Sequence, residues 1–311
     1  MFGELVVMKK TARWLQMLVF VLTCTALGHA MAEEVKIEHQ GLDVLANLDL
    51  APGKSLKADG AVILLHDSLG HHRMELMAAL QELLHSRGIN SLAITLSLGL
   101  NARRGMYDCG LEQDHRNEDA REELQSWVNW LKGQGSANVV LAGHGRGGAQ
   151  VAYYLAKDPD KAVKRAVLIA PLAQTFGSAG GEYQERFRQP LQPVLAEAER
   201  HMAEDQANQL MNNVAFLQCP QARVTAGAFI DYYGDNPNLY TPSLVPGIKV
   251  PTLIAVGDQD ALGQELSAAI SGIPTDTNHI TQATIAGADS QFRDIAADHL
   301  ADRMKTFLQQ K

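Results

Sequence analysis

The chain of 311 residues is 46% hydrophobic and 20% charged, which supplies a large core and excludes a disordered chain. Its formal net charge of −8 excludes the basic surface that binding to a nucleic-acid backbone or to an anionic membrane through a polybasic patch requires. A single α/β domain over residues 33–311, with one cap inserted at about 173–249, accounts for the length without a second core.

Residues 1–32 read as an export signal. Met8-Lys9-Lys10 is its positive start, Trp14 to Leu27 its apolar run, and Ala30-Met31-Ala32 the small residues before a cleavage site. Removing them leaves 24 basic against 34 acidic side chains, a net −10. An uncleaved anchor is the alternative, but the apolar run is shorter than the about 20 residues that cross a bilayer, so no stable membrane span is expected. Val21-Leu22-Thr23-Cys24 is only loosely like a lipobox. The expected location is periplasmic or secreted. In that oxidising setting the mature chain keeps Cys109 and Cys219, for which a disulfide is the simple expectation and two free thiols the alternative.

Beyond Glu33, short apolar runs alternate with amphipathic segments, the pattern of parallel strands joined by crossover helices. Strands are expected at Leu42 to Leu50, Ala61 to Leu65 and Ser91 to Leu96, with a helix between the last two carrying Leu76, Leu80, Leu83 and Leu84 on one face. A helix from Asn117 to Lys132 places Leu124, Trp127, Val128 and Leu131 at core spacing. Asn138 to Ala142 is the central strand and runs into a glycine-rich turn and a helix through Val151, Ala152 and Leu155. Later strands fall at Ala166 to Ala170, Thr252 to Val256 and Thr281 to Ile285, before a last helix carrying Leu300, Met304, Phe307 and Leu308. Between Leu172 and Val250 the strand rhythm stops, and the polar, helical composition of Tyr183 to Met211 marks the cap.

The run Val139-Val140-Leu141-Ala142-Gly143-His144-Gly145-Arg146-Gly147-Gly148 resembles the nucleophile elbow of the α/β-hydrolases, a strand, then G-x-S-x-G, then a helix. The resemblance spans nearly the whole mature chain. The segments around Leu96 to Cys109 and Cys219 to Asp235 are similar to an exported bacterial branch of that superfamily. It implies a mostly parallel sheet covered by helices on both faces, a helical cap insertion and esterase-like hydrolysis by a nucleophile, acid and histidine in that order. Asp260 matches the acid, within Val256-Gly257-Asp258-Gln259-Asp260. Gly145 stands at the nucleophile position and Ser290, in Gly287-Ala288-Asp289-Ser290-Gln291-Phe292, at the histidine position. Glycine offers no attacking atom, and a serine hydroxyl is far too weak a base to replace histidine near neutral pH.

Leu65-His66-Asp67-Ser68-Leu69-Gly70-His71 resembles the family's oxyanion loop with Asp67 in place of its glycine. A carboxylate pointing inward there repels a developing oxyanion; pointing outward, or bonded to its own loop, it is neutral in effect. The backbone amides of Ser68 and Arg146 are expected to face a small anion at the helix start. His66 and His144 match positions where histidine packs beside the site. With His71, His72 and Asp67 or Asp260 they lack the tight ligand spacing of a metal site, so neither metal nor cofactor is expected. His115 and His299 read as surface residues, Arg103 and Arg104 as either pocket contacts or solvated charges, and Tyr232, Tyr233 and Asp235 as packing or pocket wall.

Three functions stay open on these residues. One is a catalytically silent pocket holding a small ligand, a carboxylate or an ester. The second is an esterase with a displaced nucleophile, Ser68 or Ser290, beside a histidine. The third is a protein–protein role through an exposed apolar face.

Overall fold

Along each central strand, alternate side chains enter opposite cores, which is why the strands read as continuous apolar runs. The computed structural model describes residues 32–173, 175–235, 240–273 and 279–310. Apart from Ala32, the expected export signal lies outside them. The strands are β1 Glu33–His39, β2 Leu42–Asp49, β3 Ala61–Leu65, β4 Ser91–Thr95, β5 Glu112–Gln113, β6 Val139–His144, β7 Val163–Ile169, β8 Leu210–Phe216, β9 Cys219–Thr225, β10 Thr252–Gly257 and β11 Ile280–Ile285. The helices are α1 Leu56–Asp59, α2 Glu75–Ser86, α3 Asn117–Gly133, α4 Arg146–Ala156, α5 Phe176–Phe187, α6 Gln192–Ala203, α7 Ala226–Tyr233, α8 Thr241–Leu244, α9 Ala261–Ser271 and α10 Ile295–Leu308.

Eight strands form one sheet in the order β1-β2-β4-β3-β6-β7-β10-β11. The β1-β2 and β2-β4 pairs are antiparallel and the remaining pairs parallel. Ile63 and Leu65 of β3 and Leu141 of β6 face one core, with Leu124, Trp127, Val128 and Leu131 of α3 and Val151, Ala152 and Leu155 of α4. Val62 and Leu64 of β3 and Val140 and Ala142 of β6 face the other, with Leu76, Leu80 and Leu84 of α2 and Leu300, Met304 and Phe307 of α10. Burying one such aliphatic side chain contributes about 1.5–3 kcal/mol.

Two features depart from the expected order of elements. Strand β1 precedes the first expected strand and pairs with it along its whole length through a Gln40-Gly41 turn, both residues at positive φ. Its charged, largely exposed sequence hides it in a hydrophobicity reading. Between β7 and β10, helices α5 and α6 occupy the expected cap. The segment also continues into the hairpin β8-β9 and helix α7, so the strand rhythm does not stop there. The alternation of β8 is broken where Asn213 takes a positive φ and the register shifts between Asn212 and Val214. Strand β5 pairs parallel to β9 and makes a second, three-stranded sheet.

The Cys109–Cys219 disulfide closes 110 residues of sequence and fastens the loop before β5 to the tip of this hairpin. No helix among the described residues is long and apolar enough to cross a membrane. Because the central strands run parallel, the segments leaving β3, β6, β10 and β11 gather at one edge of the sheet, beneath the inserted segment.

Candidate active site

Strand β6 ends in a turn that only closely approaching backbones can make. A Cβ on Gly143 would sit 2.3 Å from the Gly147 carbonyl oxygen, and one on Gly147 would sit 2.3 Å from that of His66. Gly145 is the apex, at φ 55° and ψ −122°, a backbone region that costs a side-chain-bearing residue about 1–3 kcal/mol. The turn is held by Gly145 N–H donating to the Ile169 carbonyl at 3.0 Å and by Leu172 N–H donating to that of Gly145 at 2.9 Å.

Asp67 points into this apex. Its Oδ1 accepts the Arg146 backbone N–H at 2.7 Å and the Ser68 hydroxyl at 3.0 Å. A Cβ on Gly145 would lie 2.5 Å from that same oxygen and 2.6 Å from the Asp67 Cγ. The carboxylate therefore fills the space into which a side chain at 145 would grow. It also takes the amide that sequence reading left open for an anion: the anion received by Arg146 N–H is the chain's own. This charge-assisted bond is among the stronger kinds of protein hydrogen bond.

The histidines near the elbow are held by backbone. Leu96 N–H donates to His66 Nε2 at 3.1 Å, so the proton sits on Nδ1 and is donated to the Asp67 carbonyl at 3.1 Å. Burial, then the nearby Arg103 charge, pushes the His66 pKa down to about 3, which keeps the ring neutral and fixes that arrangement. His144 Nε2–H donates to the Ser290 carbonyl at 2.7 Å and ties the elbow to the loop after β11. The Ser290 hydroxyl accepts from Gln291 Nε2 at 3.5 Å, and the Ser68 hydroxyl is spent on Asp67. Neither hydroxyl hydrogen-bonds a histidine among the described residues. Asp260 precedes α9, makes no capping bond there, and has Gly263 beneath it, where a Cβ would come within 2.5 Å of its Oδ2.

Asp67, Ser68, His144, Gly145, Arg146, Asp260 and Ser290 line one cavity of about 370 Å³. His66 lies behind the Asp67 backbone, outside that lining. Sequence reading missed the cavity's apolar side, made by Tyr183 and Phe187 of α5, Leu217 of the hairpin tip, and Leu262 and Leu266 of α9. The spacing of Tyr183 and Phe187, i and i+4 on one helix, was the available signal. Tyr233 also lines the cavity, whereas Tyr232 packs on Phe216 outside that lining.

Two assignments from sequence are corrected, His115 and Arg103, while Arg104 is the exposed, solvated charge that was one of its two readings. His115 is 3% exposed rather than on the surface. Its Nδ1 meets the Tyr232 hydroxyl at 2.9 Å, and burial pushes its pKa down to about 3. Arg103 is neither a pocket contact nor a solvated charge. It is buried and donates to the carbonyls of Leu96 and Gly105, both at 2.7 Å, and of Leu69 at 3.3 Å, bracing the oxyanion-type loop from behind. Arg104 pairs with Glu34 on the first strand.

The Arg146 side chain is 7% exposed and lies over the Tyr232 ring, its guanidinium carbon 4.9 Å from the ring centroid. Its Nε and Nη1 are buried with no hydrogen-bond partner among the described residues. A cation so placed costs several kcal/mol where nothing compensates it, of which an aromatic face returns about 1–2 kcal/mol. Among the described residues no group of three His, Cys, Asp or Glu side chains is placed to hold a metal ion.

A parallel sheet with a glycine-lined elbow after its central strand, an acid after a late strand and an inserted segment over the shared edge defines the hydrolase fold. The profile of the alpha/beta hydrolase family matches residues 62–301, and the chain belongs to that family. Its fold is similar to that of Est1E from Butyrivibrio proteoclasticus, at 18% identity and a TM-score of 0.62 over 88% of this chain and 97% of that one. Est1E has also been solved with ferulic acid bound. The α/β hydrolase GrgF from Penicillium is similar at 15% identity and a TM-score of 0.59, over 90% and 98% of the two chains. The esterase Pf2001 from Pyrococcus furiosus is similar at 14% identity and a TM-score of 0.56, over 90% of each. No curated protein sequence matches the chain.

Proposed function

We propose that this chain is an exported hydrolase-fold protein that has given up ester hydrolysis and holds a small organic ligand in the former active-site cavity. The carrying observation is the Asp67 carboxylate seated on the Arg146 amide at 2.7 Å, against a glycine at the elbow apex. Acyl transfer on this fold needs a nucleophile at the apex and a free amide donor for the oxyanion. Here the apex has no side chain, the donor is occupied, and a negative charge stands where negative charge would develop.

Support for export comes from the pattern of residues 1–32 and from a disulfide, which persists in oxidising compartments. Support for retained binding comes from the cavity, which keeps apolar walls and a polar end of ligand-site character. The solved complex of Est1E with ferulic acid supports a small organic acid as the size of molecule such a cavity takes.

The test is turnover of p-nitrophenyl acetate and butyrate by the purified protein beside an Asp67→Gly/Gly145→Ser/Ser290→His variant. The expected result is no turnover above the heat-denatured control for the unaltered chain and measurable turnover for the triple variant. Turnover by the unaltered chain that is abolished by Ser68→Ala or Ser290→Ala would instead establish a displaced nucleophile and overturn the proposal.

A further inference from the structure

Arg146 is the first residue of an 11-residue helix, yet its backbone and side chain part company. The amide turns to Asp67, while the guanidinium runs toward the inserted segment and lies on Tyr232. Arg146 lines the cavity, and its buried Nε and Nη1 have no hydrogen-bond partner among the described residues. Elsewhere in this protein a buried arginine is fully used: Arg103, equally buried, donates to three carbonyl oxygens. The contrast marks Arg146 as a cation whose Nε and Nη1 find no acceptor among the described residues.

The charges around it point the same way. His115, against the far side of Tyr232, is held neutral by burial. Glu182 is half-buried and feels the Arg146 charge, but burial raises its pKa and so weakens its hold as a counter-ion. The cavity that Arg146 lines has an apolar part, built from Leu172, Tyr183, Phe187 and Leu217, and a second cation, Arg186, near Glu182.

Resting on the reading of this cavity as a binding site, we infer that Arg146 anchors the carboxylate of an amphiphilic organic acid whose apolar tail lies along α5 and α9. The site thereby prefers the acid to its ester, since a neutral ester carbonyl gains far less from a guanidinium than a carboxylate does. It also disfavours the matching amine, although Asp67, Glu182, Asp260 and Glu265 line the same cavity.

The test is calorimetric titration of the purified protein with octanoate, methyl octanoate and octylamine. Octanoate is expected to bind at least tenfold more tightly than either analogue, and to weaken as salt rises. Arg146→Gln is expected to lose at least tenfold in octanoate affinity while leaving methyl octanoate unchanged. Glu182→Gln, which removes a negative charge from the cavity lining, is expected to tighten octanoate several-fold, and to do so less in Arg146→Gln, where a merely structural Arg146 would leave the gain unchanged. Where Arg146→Gln does not fold, the conservative Arg146→Lys, which keeps the charge and loses the planar fork, replaces it and is expected to weaken octanoate while keeping its preference over methyl octanoate. Tighter binding of octylamine, equal binding of all three, or no binding of octanoate would overturn the inference. None of these outcomes bears on ester turnover, which is read separately.

Discussion

At the scale of single residues, Gly145 and Asp67 share one space. The elbow apex favours glycine because its positive φ strains any side chain. The space where a side chain at 145 would grow holds the Asp67 carboxylate, bonded to the amide beyond it. Gly145→Ser therefore meets both strain and overlap, about 1–3 kcal/mol from each source. At about 2–4 °C per kcal/mol for a domain of this size, a fall in melting temperature of several degrees is expected. Asp67→Gly alone is expected to destabilise by about 1–3 kcal/mol through loss of a charge-assisted hydrogen bond. In the double variant the overlap disappears, so its cost should fall short of the sum of the singles by at least about 1 kcal/mol. Denaturant titration of the four proteins measures that coupling, and strictly additive costs would refute the steric link. That Asp67, Gly145, Asp260 and Ser290 share one cavity was legible in sequence because the elbow, the acid turn and the loop after β3 have fixed spacings. The direction of the Asp67 carboxylate was not, since both orientations satisfy the same string of residues.

At the scale of elements, the sheet and its flanking helices were legible because their side chains follow the periods of buried strands and amphipathic helices, as in β3 and α3. The inserted segment was legible only in part. Helices α5 and α6 carry helical composition, whereas β8 hides behind its irregularity at Asn213 and β9 offers alternation only from Ala222 onward. Long-range fastening supplies what local pattern does not: the hairpin is held by β5 and by the Cys109–Cys219 bond. Restricting a loop of that length is worth up to about 4–5 kcal/mol in a chain-entropy picture. Cys109→Ser/Cys219→Ser is accordingly expected to lower stability by a few kcal/mol. Hydrogen exchange should show protection lost first in β8 and β9 rather than in β3 or β6. Uniform loss across the large sheet would mean that the hairpin does not open as a separate unit. Because Leu217 at the hairpin tip lines the cavity, the same variant should also weaken any ligand held there.

At the scale of the whole molecule, the neutral histidines couple stability to pH. Burial is the leading cause that lowers the pKa of His66 and His115 to about 3 and of His72 to about 4, each from an unfolded value of about 6.5. Between those limits the unfolded chain binds more protons than the folded one, so stability rises with pH and is lost as pH falls below about 6.5. Glu123 acts in the opposite sense. Burial raises its carboxyl to about 7, so the folded state holds a proton that the unfolded state has released, and stability falls as pH rises from about 4.5 to 7. One such group offsets about one histidine. From pH 6 to 5 the balance favours the histidines by roughly two protons, a loss of roughly 2–3 kcal/mol. Melting temperature should therefore drop by several degrees across that unit and change little, through these groups, above pH 7. Below about 4.5 the unfolded Glu123 is protonated as well and its opposition fades, but His72 takes up its proton in the folded state over the same range, so the slope stays near two protons. Replacing His115 by phenylalanine keeps a ring among Tyr107, Phe216 and Tyr232 and removes one titrating group. The slope between pH 6 and 5 should then fall by about half, as roughly one of two net protons is lost. A slope that stayed the same would show that His115 is protonated in the folded protein, and that its ring keeps its charge beside Arg146.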